Sequence, residues 1–149
     1  MNLGQKFTGT KETWSGKTKT LEDECLLEKS KFQEEYDAEV AKKQKDISHL
    51  EILESNLRSI SSQVTDKSEY LKGLPESETS EEVRKSYEEE IKSLSLQFKL
   101  QSVDKADTLR SLQRTNQNLI DLQKLISDST NFCNSIIADF KLIVNQMYK

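Results

Sequence analysis

The stretch LKGLPESETSEE, residues 71–82, decides the fold because it holds Gly73 and the only proline of the chain, Pro75. The remaining glycines lie within the first 16 residues, so residues 17–72 and 76–149 contain neither glycine nor proline. Glycine costs a helix interior about 1 kcal/mol relative to alanine, and proline costs about 3 kcal/mol. Their absence from two long stretches rich in Glu, Lys, Leu and Gln predicts two long helices joined by a short turn.

The residues around Pro75 follow the order of a helix end and then a helix start. Gly73 can adopt the left-handed conformation that caps a helix, and Pro75 cannot continue that helix. Thr79 and Glu82 have the spacing of a capping box for the next helix. A reversal at this turn makes the two helices antiparallel.

The expected fold class is therefore all-α, an elongated antiparallel helical hairpin or coiled coil. We expect two long helices, or three if the second segment is broken, and an oligomeric protein. Its parts are a flexible or amphipathic leader over 1–20, a first helix over 21–72, a hinge over 73–78 and a second helix over 79–149.

Composition indicates that these helices need neighbours. Of the 149 residues, 34% are hydrophobic and 32% are charged, which is too polar for a compact domain with a thick core. The apolar residues must form narrow stripes, and a lone helix in water does not keep such a stripe exposed. We expect self-association or pairing with partner coiled-coil proteins.

Apolar residues in both long segments recur at the spacing of a coiled coil. The second segment repeats every seven residues, interrupted at Lys105, and the first segment alternates intervals of three and four. The predicted helix-pairing seam consists of Ile91, Phe98, Leu112, Leu119, Ile126, Cys133, Phe140 and Met147 with Leu50, Leu53, Leu57, Ile60 and Val64. The complementary position is polar in the middle of the second segment, at Gln101, Thr108 and Thr115.

The second segment contains one candidate break. Residues 127–131 read Ser-Asp-Ser-Thr-Asn, and such side chains can cap a new helix. The seven-residue phase continues through this stretch, which favours a continuous or slightly kinked helix. Residues 132–148 are apolar on more than one face, so we expect this end to have more than one neighbour.

Several function classes are disfavoured. The net charge is −4, and basic residues alternate with acidic ones, which argues against nucleic-acid binding. His49 is the only histidine and reads as a surface residue, so no histidine-based metal cluster is expected. The sequence has no phosphate-binding glycine loop and no HExxH motif. We expect no enzyme activity, no catalytic residue, no cofactor, no metal and no small-molecule substrate.

The cysteine pattern and the lack of transmembrane-length apolar runs bear on the cellular compartment in which the protein is expected. Cys25 and Cys133 lie far apart and form no CxxC motif, so neither a disulfide framework nor a zinc site is expected, and Cys133 reads as a small core residue. The sequence shows no transmembrane run and no apolar core of a secretory signal. We expect a reducing compartment and a cytoplasmic or nuclear location, with membrane contact at most peripheral.

The leader has a composition of its own. Leu3, Phe7 and Trp14 would share one helical face, as in a segment that folds on a lipid surface. A disordered leader, or one whose Trp14 packs on the next helix, is the other interpretation. Thr20 is the expected N-cap of the helix that begins at Leu21.

The leader and the first helix together resemble the start of a Bin/amphiphysin/Rvs (BAR) domain. The resemblance covers about residues 4–60 and is carried by GQKF at 4–7, WSGKTKT at 14–20, LEDE at 21–24 and LEKSKF at 27–32. It implies a crescent-like dimer of long helices that binds curved or anionic membranes. Besides Leu3, Phe7 and Trp14, the lipid contacts it implies are Lys6, Lys11, Lys17, Lys19, Lys42, Lys43 and Lys45.

Two functions follow from these features. The favoured one is a non-enzymatic coiled-coil scaffold or assembly subunit that acts through helix–helix contacts with itself or with partner proteins. The alternative is a BAR-like peripheral membrane protein that dimerises and binds or shapes membrane.

Overall fold

The computed structural model describes the backbone of residues 3–147 and the side chains of residues 15–77 and 80–147. It contains two helices, α1 over Leu3–Lys72 and α2 over Glu78–Met147. The helices pack against each other in antiparallel directions, and no strand occurs in the described backbone. The predicted all-α antiparallel helical hairpin is confirmed.

The turn between the helices lies where the sequence predicts it, but the helix ends differently. No glycine of the described backbone has a positive φ, so the expected left-handed cap at Gly73 is wrong. The Gly73 N–H instead donates to the carbonyls of Glu69 at 3.3 Å and Tyr70 at 3.2 Å. The Leu74 N–H donates to the Leu71 carbonyl at 3.3 Å. These bonds tighten the last turn and satisfy carbonyls that would otherwise lack partners.

The second helix is capped by Ser77. The Ser80 N–H donates to the Ser77 hydroxyl oxygen at 3.3 Å, and the two hydroxyl oxygens lie 2.9 Å apart. A serine that accepts a bond from the third helical residue is a standard N-cap. The side chain of Thr79, the predicted cap, lies outside the described residues.

The first helix begins earlier than the sequence suggests. It starts at Leu3 and runs without interruption past Gly16, so the predicted start at Leu21 is wrong. The Thr20 hydroxyl does not cap a helix, since it donates to the Gly16 carbonyl at 3.0 Å within α1. Threonine inside a helix can make this bond to the carbonyl four residues back. The second helix passes through residues 127–131 without a break, as the continuous heptad phase predicted.

Contacts divide the hairpin into two compact units. Unit 1 joins the first part of the chain, up to Ala41, to the last part, from Gln117. Unit 2 comprises Lys42–Asn116 and includes the turn. Each unit contains one part of α1 and one part of α2.

Unit 2 has a narrow apolar core and many polar links between its helices. Leu53 and Ile60 are buried, with 4% and 5% of their surface exposed. Charged or hydroxyl side chains join α1 to α2 at Asp46–Ser111, at 2.7 Å; His49–Asp104, at 3.0 Å; Glu54–Lys105, at 3.7 Å; and Lys67–Glu90, at 2.6 Å. This succession of pairs fixes the antiparallel register within the unit.

Unit 1 is joined covalently. Cys25 of α1 and Cys133 of α2 form a disulfide, with their Cα atoms 5.9 Å apart. The expectation that the cysteines do not pair is therefore wrong, because antiparallel packing brings an early and a late residue together. Cys133 is also buried, as a core residue would be. The ion pair Glu22–Lys141, at 2.7 Å, and the contact Glu39–Asn118, at 3.4 Å, add polar links.

Candidate helix-binding surfaces

The predicted seam residues differ in burial along each helix. Leu53, Ile60 and Cys133 are buried. A second group is half-buried: Leu50, Leu57, Val64, Ile91, Leu112, Leu119, Ile126 and Phe140. Phe98 and Met147 have 40% and 41% of their surface exposed. Eleven of the thirteen predicted seam positions are therefore at least half-buried, whereas Phe98, inside α2, and Met147, at its end, are exposed.

A drift of the apolar phase accounts for the exposed end of α2. Seven residues fall about 20° short of two full helical turns, so a strict heptad position moves around a straight helix. In the last turns Val144 is buried with 7% exposure. Ile143 lies four heptads after Thr115, at the complementary heptad position, and is 55% exposed. The buried face has thus shifted by one position, and Met147 has left it.

The same drift leaves an apolar stripe on the outer surface of unit 1. Exposure is 47% at Leu125, 66% at Phe132 and 55% at Ile143, with Ile136 half-buried between them. We define the unit 1 stripe as Leu125, Phe132, Ile136, Ile143 and Met147. Their intervals of seven and four residues add up to eleven, close to three full turns, so the stripe follows one line along α2.

Unit 2 carries a shorter outer patch. Leu96, Leu100 and Val103 are 58%, 61% and 54% exposed. They lie four and three residues apart, which places them on one face of α2 over about two turns. Ile52 of α1 is 58% exposed as well. The sequence pattern did not single out these residues, because their spacing covers too few turns to form a repeat.

Comparison with protein-family models, curated proteins and solved structures finds no match.

One histidine–carboxylate pair lies between the two helices of unit 2. His49 Nε2 is 3.0 Å from Asp104 Oδ2, and both side chains are close to half exposed, at 46% and 49%. The pair bridges the two helices at the surface of unit 2. In the described part of the chain no group of His, Cys, Asp or Glu is arranged to hold a metal ion.

An electrostatic cluster with aromatic neighbours lies near the turn. Lys67 Nζ is 2.6 Å from Glu90 Oε2 and 5.0 Å from the centre of the Tyr87 ring, which is itself 4.7 Å from the Tyr70 ring. The hydrogen bond to Glu90 raises the pKa of Lys67 above its ordinary value of 10.5. The charged ammonium is thereby favoured in the folded chain.

The predicted lipid-contact residues are only partly described. The side chains of Leu3, Lys6, Phe7, Lys11 and Trp14 lie outside the described residues. Of the rest, Lys19, Lys42 and Lys45 are exposed and Lys43 is half-buried. Lys17 is exposed but engaged in a further interaction. Within the described part of the chain, neither helix carries an apolar run of membrane-spanning length.

Sequence reasoning missed the disulfide although a signal for it was present. Cys133 falls on the heptad seam, and Cys25 falls among the spaced apolar residues of α1. Both positions therefore face the partner helix of an antiparallel hairpin. The pairing also removes the argument for a reducing compartment, since that argument depended on unpaired cysteines.

Proposed function

We propose that this protein is a non-enzymatic scaffold or assembly subunit that works through helix–helix contacts. The observation that supports the proposal is an imbalance between buried and exposed apolar side chains. Among the described residues four apolar side chains are buried, Leu53, Ile60, Cys133 and Val144, while sixteen large ones are exposed. A hairpin with this many exposed apolar side chains offers them to further helices.

The arrangement of the exposed side chains strengthens this proposal. Scattered surface leucines are normal in soluble proteins. The unit 1 stripe and the Leu96–Leu100–Val103 patch are instead ordered along α2 at helical spacing. An ordered apolar line on a helix is what a neighbouring helix contacts in a bundle.

Sedimentation equilibrium over a wide concentration range tests for self-association, and cross-linking with mass spectrometry in expressing cells tests for partner helices. We expect either a molar mass above the monomer value of 17.2 kDa or cross-links from lysines beside the exposed stripes, such as Lys99 and Lys124. A monomer at every concentration, without helical partners in the cell, would refute the proposal.

The BAR-like alternative is tested separately with vesicles. The full chain and a chain lacking residues 1–20 are sedimented with anionic liposomes at low salt. Membrane function predicts that only the full chain sediments, because the leader and its lysines would carry the contact. The scaffold proposal predicts that neither chain sediments.

A further inference from the structure

The unit 1 stripe is a second apolar face of α2, distinct from the face that packs on α1. At 100° per residue, the stripe residues fall within an arc of about 60°. That arc is centred roughly 80° around the helix from Cys133 and Val144, which are buried. A helix with two apolar faces at this angle can pack against two neighbours, as helices do in four-helix bundles.

The stripe is long enough for a stable helix contact. From Leu125 to Met147 it extends about 33 Å along α2, at 1.5 Å per residue. Phe132 lies near its middle and is its most exposed member, at 66%. Exposed aromatic side chains near the centre of a surface commonly supply much of the binding energy.

Carboxylates follow one side of the stripe in a regular order. Asp121 precedes Leu125 by four residues, and Asp128 precedes Phe132 by four, so each pair is adjacent on the helix surface. Asp139 stands in the same relation to Ile143. All three aspartates are exposed. We call Asp121, Asp128 and Asp139 the acidic row; Lys124 stands beside it and leaves its net charge negative.

Carboxylates also border the stripe from α1. Glu35 and Glu39 line an open groove together with Asp121 and Leu125, and Glu39 accepts a bond from the Asn118 amide at 3.4 Å. Lys31, four residues before Glu35, is a basic neighbour on this side. Over residues 15–41 and 117–147 eleven acidic side chains outnumber six basic ones, a net charge of −5.

From this geometry we infer that the unit 1 stripe binds an amphipathic helix of a partner protein whose apolar residues are flanked by lysine or arginine. A second copy of this chain is a poorer occupant, because a symmetric contact would place one acidic border against another. An anionic membrane is disfavoured for the same electrostatic reason. The inference rests on the proposed scaffold function and specifies its partner.

Selection from a peptide library identifies the helix that the stripe prefers. A displayed library of helical peptides about 24 residues long carries leucine at the seven-four spacing of the stripe. Its other surface positions are randomised among Lys, Arg, Glu and Gln. The library is selected on the full-length oxidised chain. We expect enrichment of Lys and Arg beside the leucines, because these residues face the acidic row.

Variants of the chain then locate the contact. Phe132→Ser should weaken a selected peptide roughly tenfold or more, as the loss of a central aromatic contact does. The triple variant D121K/D128K/D139K should prefer Glu-rich peptides. Ile120→Ser is the matched control, since Ile120 is 61% exposed but lies off the stripe. All residues substituted in these three variants are exposed. Circular dichroism of each variant should therefore show the helix content of the wild type.

The outcomes separate this inference from the scaffold proposal. Selected helices without Lys or Arg enrichment, or with binding unaffected by Phe132→Ser, overturn the inference. A homodimer that dissociates in the Phe132→Ser variant also overturns the inference and leaves the scaffold function intact. The same holds if the selected helices lose binding only in the Leu100→Ser variant, because the contact would then lie on unit 2. If no helix is selected and the chain is a monomer without cellular partners, both fail.

Discussion

Unit 1 and unit 2 join the same two helices by different means. Unit 2 combines the buried Leu53 and Ile60 with a series of polar pairs between α1 and α2. Unit 1 has a disulfide at Cys25–Cys133, and the largest apolar side chains of its α2 include several that face outward. A covalent link can thus secure a helix pair while apolar residues remain available for another contact.

Removal of the disulfide should produce the greatest loss of stability, and it tests whether unit 1 depends on its covalent link. Residues 25 and 133 are 108 apart in sequence, and closing a loop of about this length stabilises a fold by about 4 to 5 kcal/mol in the chain-entropy model. The double variant C25S/C133S should therefore lose a comparable free energy of unfolding, measured by urea denaturation. Reductant should lower the midpoint of the wild type and leave that of the double variant unchanged. Equal midpoints for wild type and double variant would contradict the contrast between the units.

A core substitution tests whether the stability of unit 2 depends on its buried apolar side chains. Leu53→Ala removes a side chain that is only 4% exposed and should cost about 2 to 5 kcal/mol of unfolding free energy. Ile52→Ala, at the adjacent exposed position, should change it by at most about 0.5 kcal/mol. Urea denaturation of both variants provides the measurement. Similar losses of unfolding free energy in the two variants would mean that unit 2 is not stabilised by burial of Leu53.

The polar interior of unit 2 offers a stabilising change. Thr115 is fully buried, and its hydroxyl has no hydrogen-bond partner among the described residues. Thr115→Val keeps the side-chain shape and removes the unpaired hydroxyl, so the unfolding free energy should rise by about 1 kcal/mol. Thr108→Val is the control, because its hydroxyl donates to the Asp104 carbonyl at 2.8 Å. A gain at residue 108 equal to that at residue 115 would rule out this explanation.

The smallest effect concerns the Lys67–Glu90 pair of unit 2. Because the folded chain raises the pKa of Lys67, the pair adds stability below the unfolded value of 10.5 and loses it as the pH rises through the folded pKa. Lys67→Met should thus lower the urea midpoint near neutral pH, and the gap to wild type should close above the folded pKa. Lys85→Met, at an exposed lysine of α2, serves as control. A gap that stays constant with pH would exclude the ion pair as its cause.

The turn and the helical hairpin could be predicted because they depend on local chemistry. Gly73 and Pro75 stand alone between two stretches without helix breakers, and no distant contact is needed to interpret them. The start at Leu3 could not be predicted in the same way. Gly16 and the threonines around it weaken a helix by small amounts, and such amounts do not decide whether a helix continues.

The candidate surface was predictable in outline and not in detail. The sequence showed apolar residues on several faces after Phe132, which predicted more than one neighbour. Whether Ile143 or Val144 is buried depends on how far supercoiling of the helix pair offsets the drift of about 20° per heptad, and supercoiling is a tertiary property. The Cys25–Cys133 bond likewise depends on the register between α1 and α2, which no local stretch of sequence determines.

The disulfide also affects how unit 2 recovers from local opening. The turn at residues 73–77 ties its helices at one end, and the Cys25–Cys133 bond ties the chain segments that lead out of its other end. The two helix segments of unit 2, once separated, therefore remain at a high effective concentration of each other. Their re-pairing is unimolecular in the oxidised and the reduced chain alike, because the turn already joins them, and the disulfide adds a second tether that raises their effective concentration further.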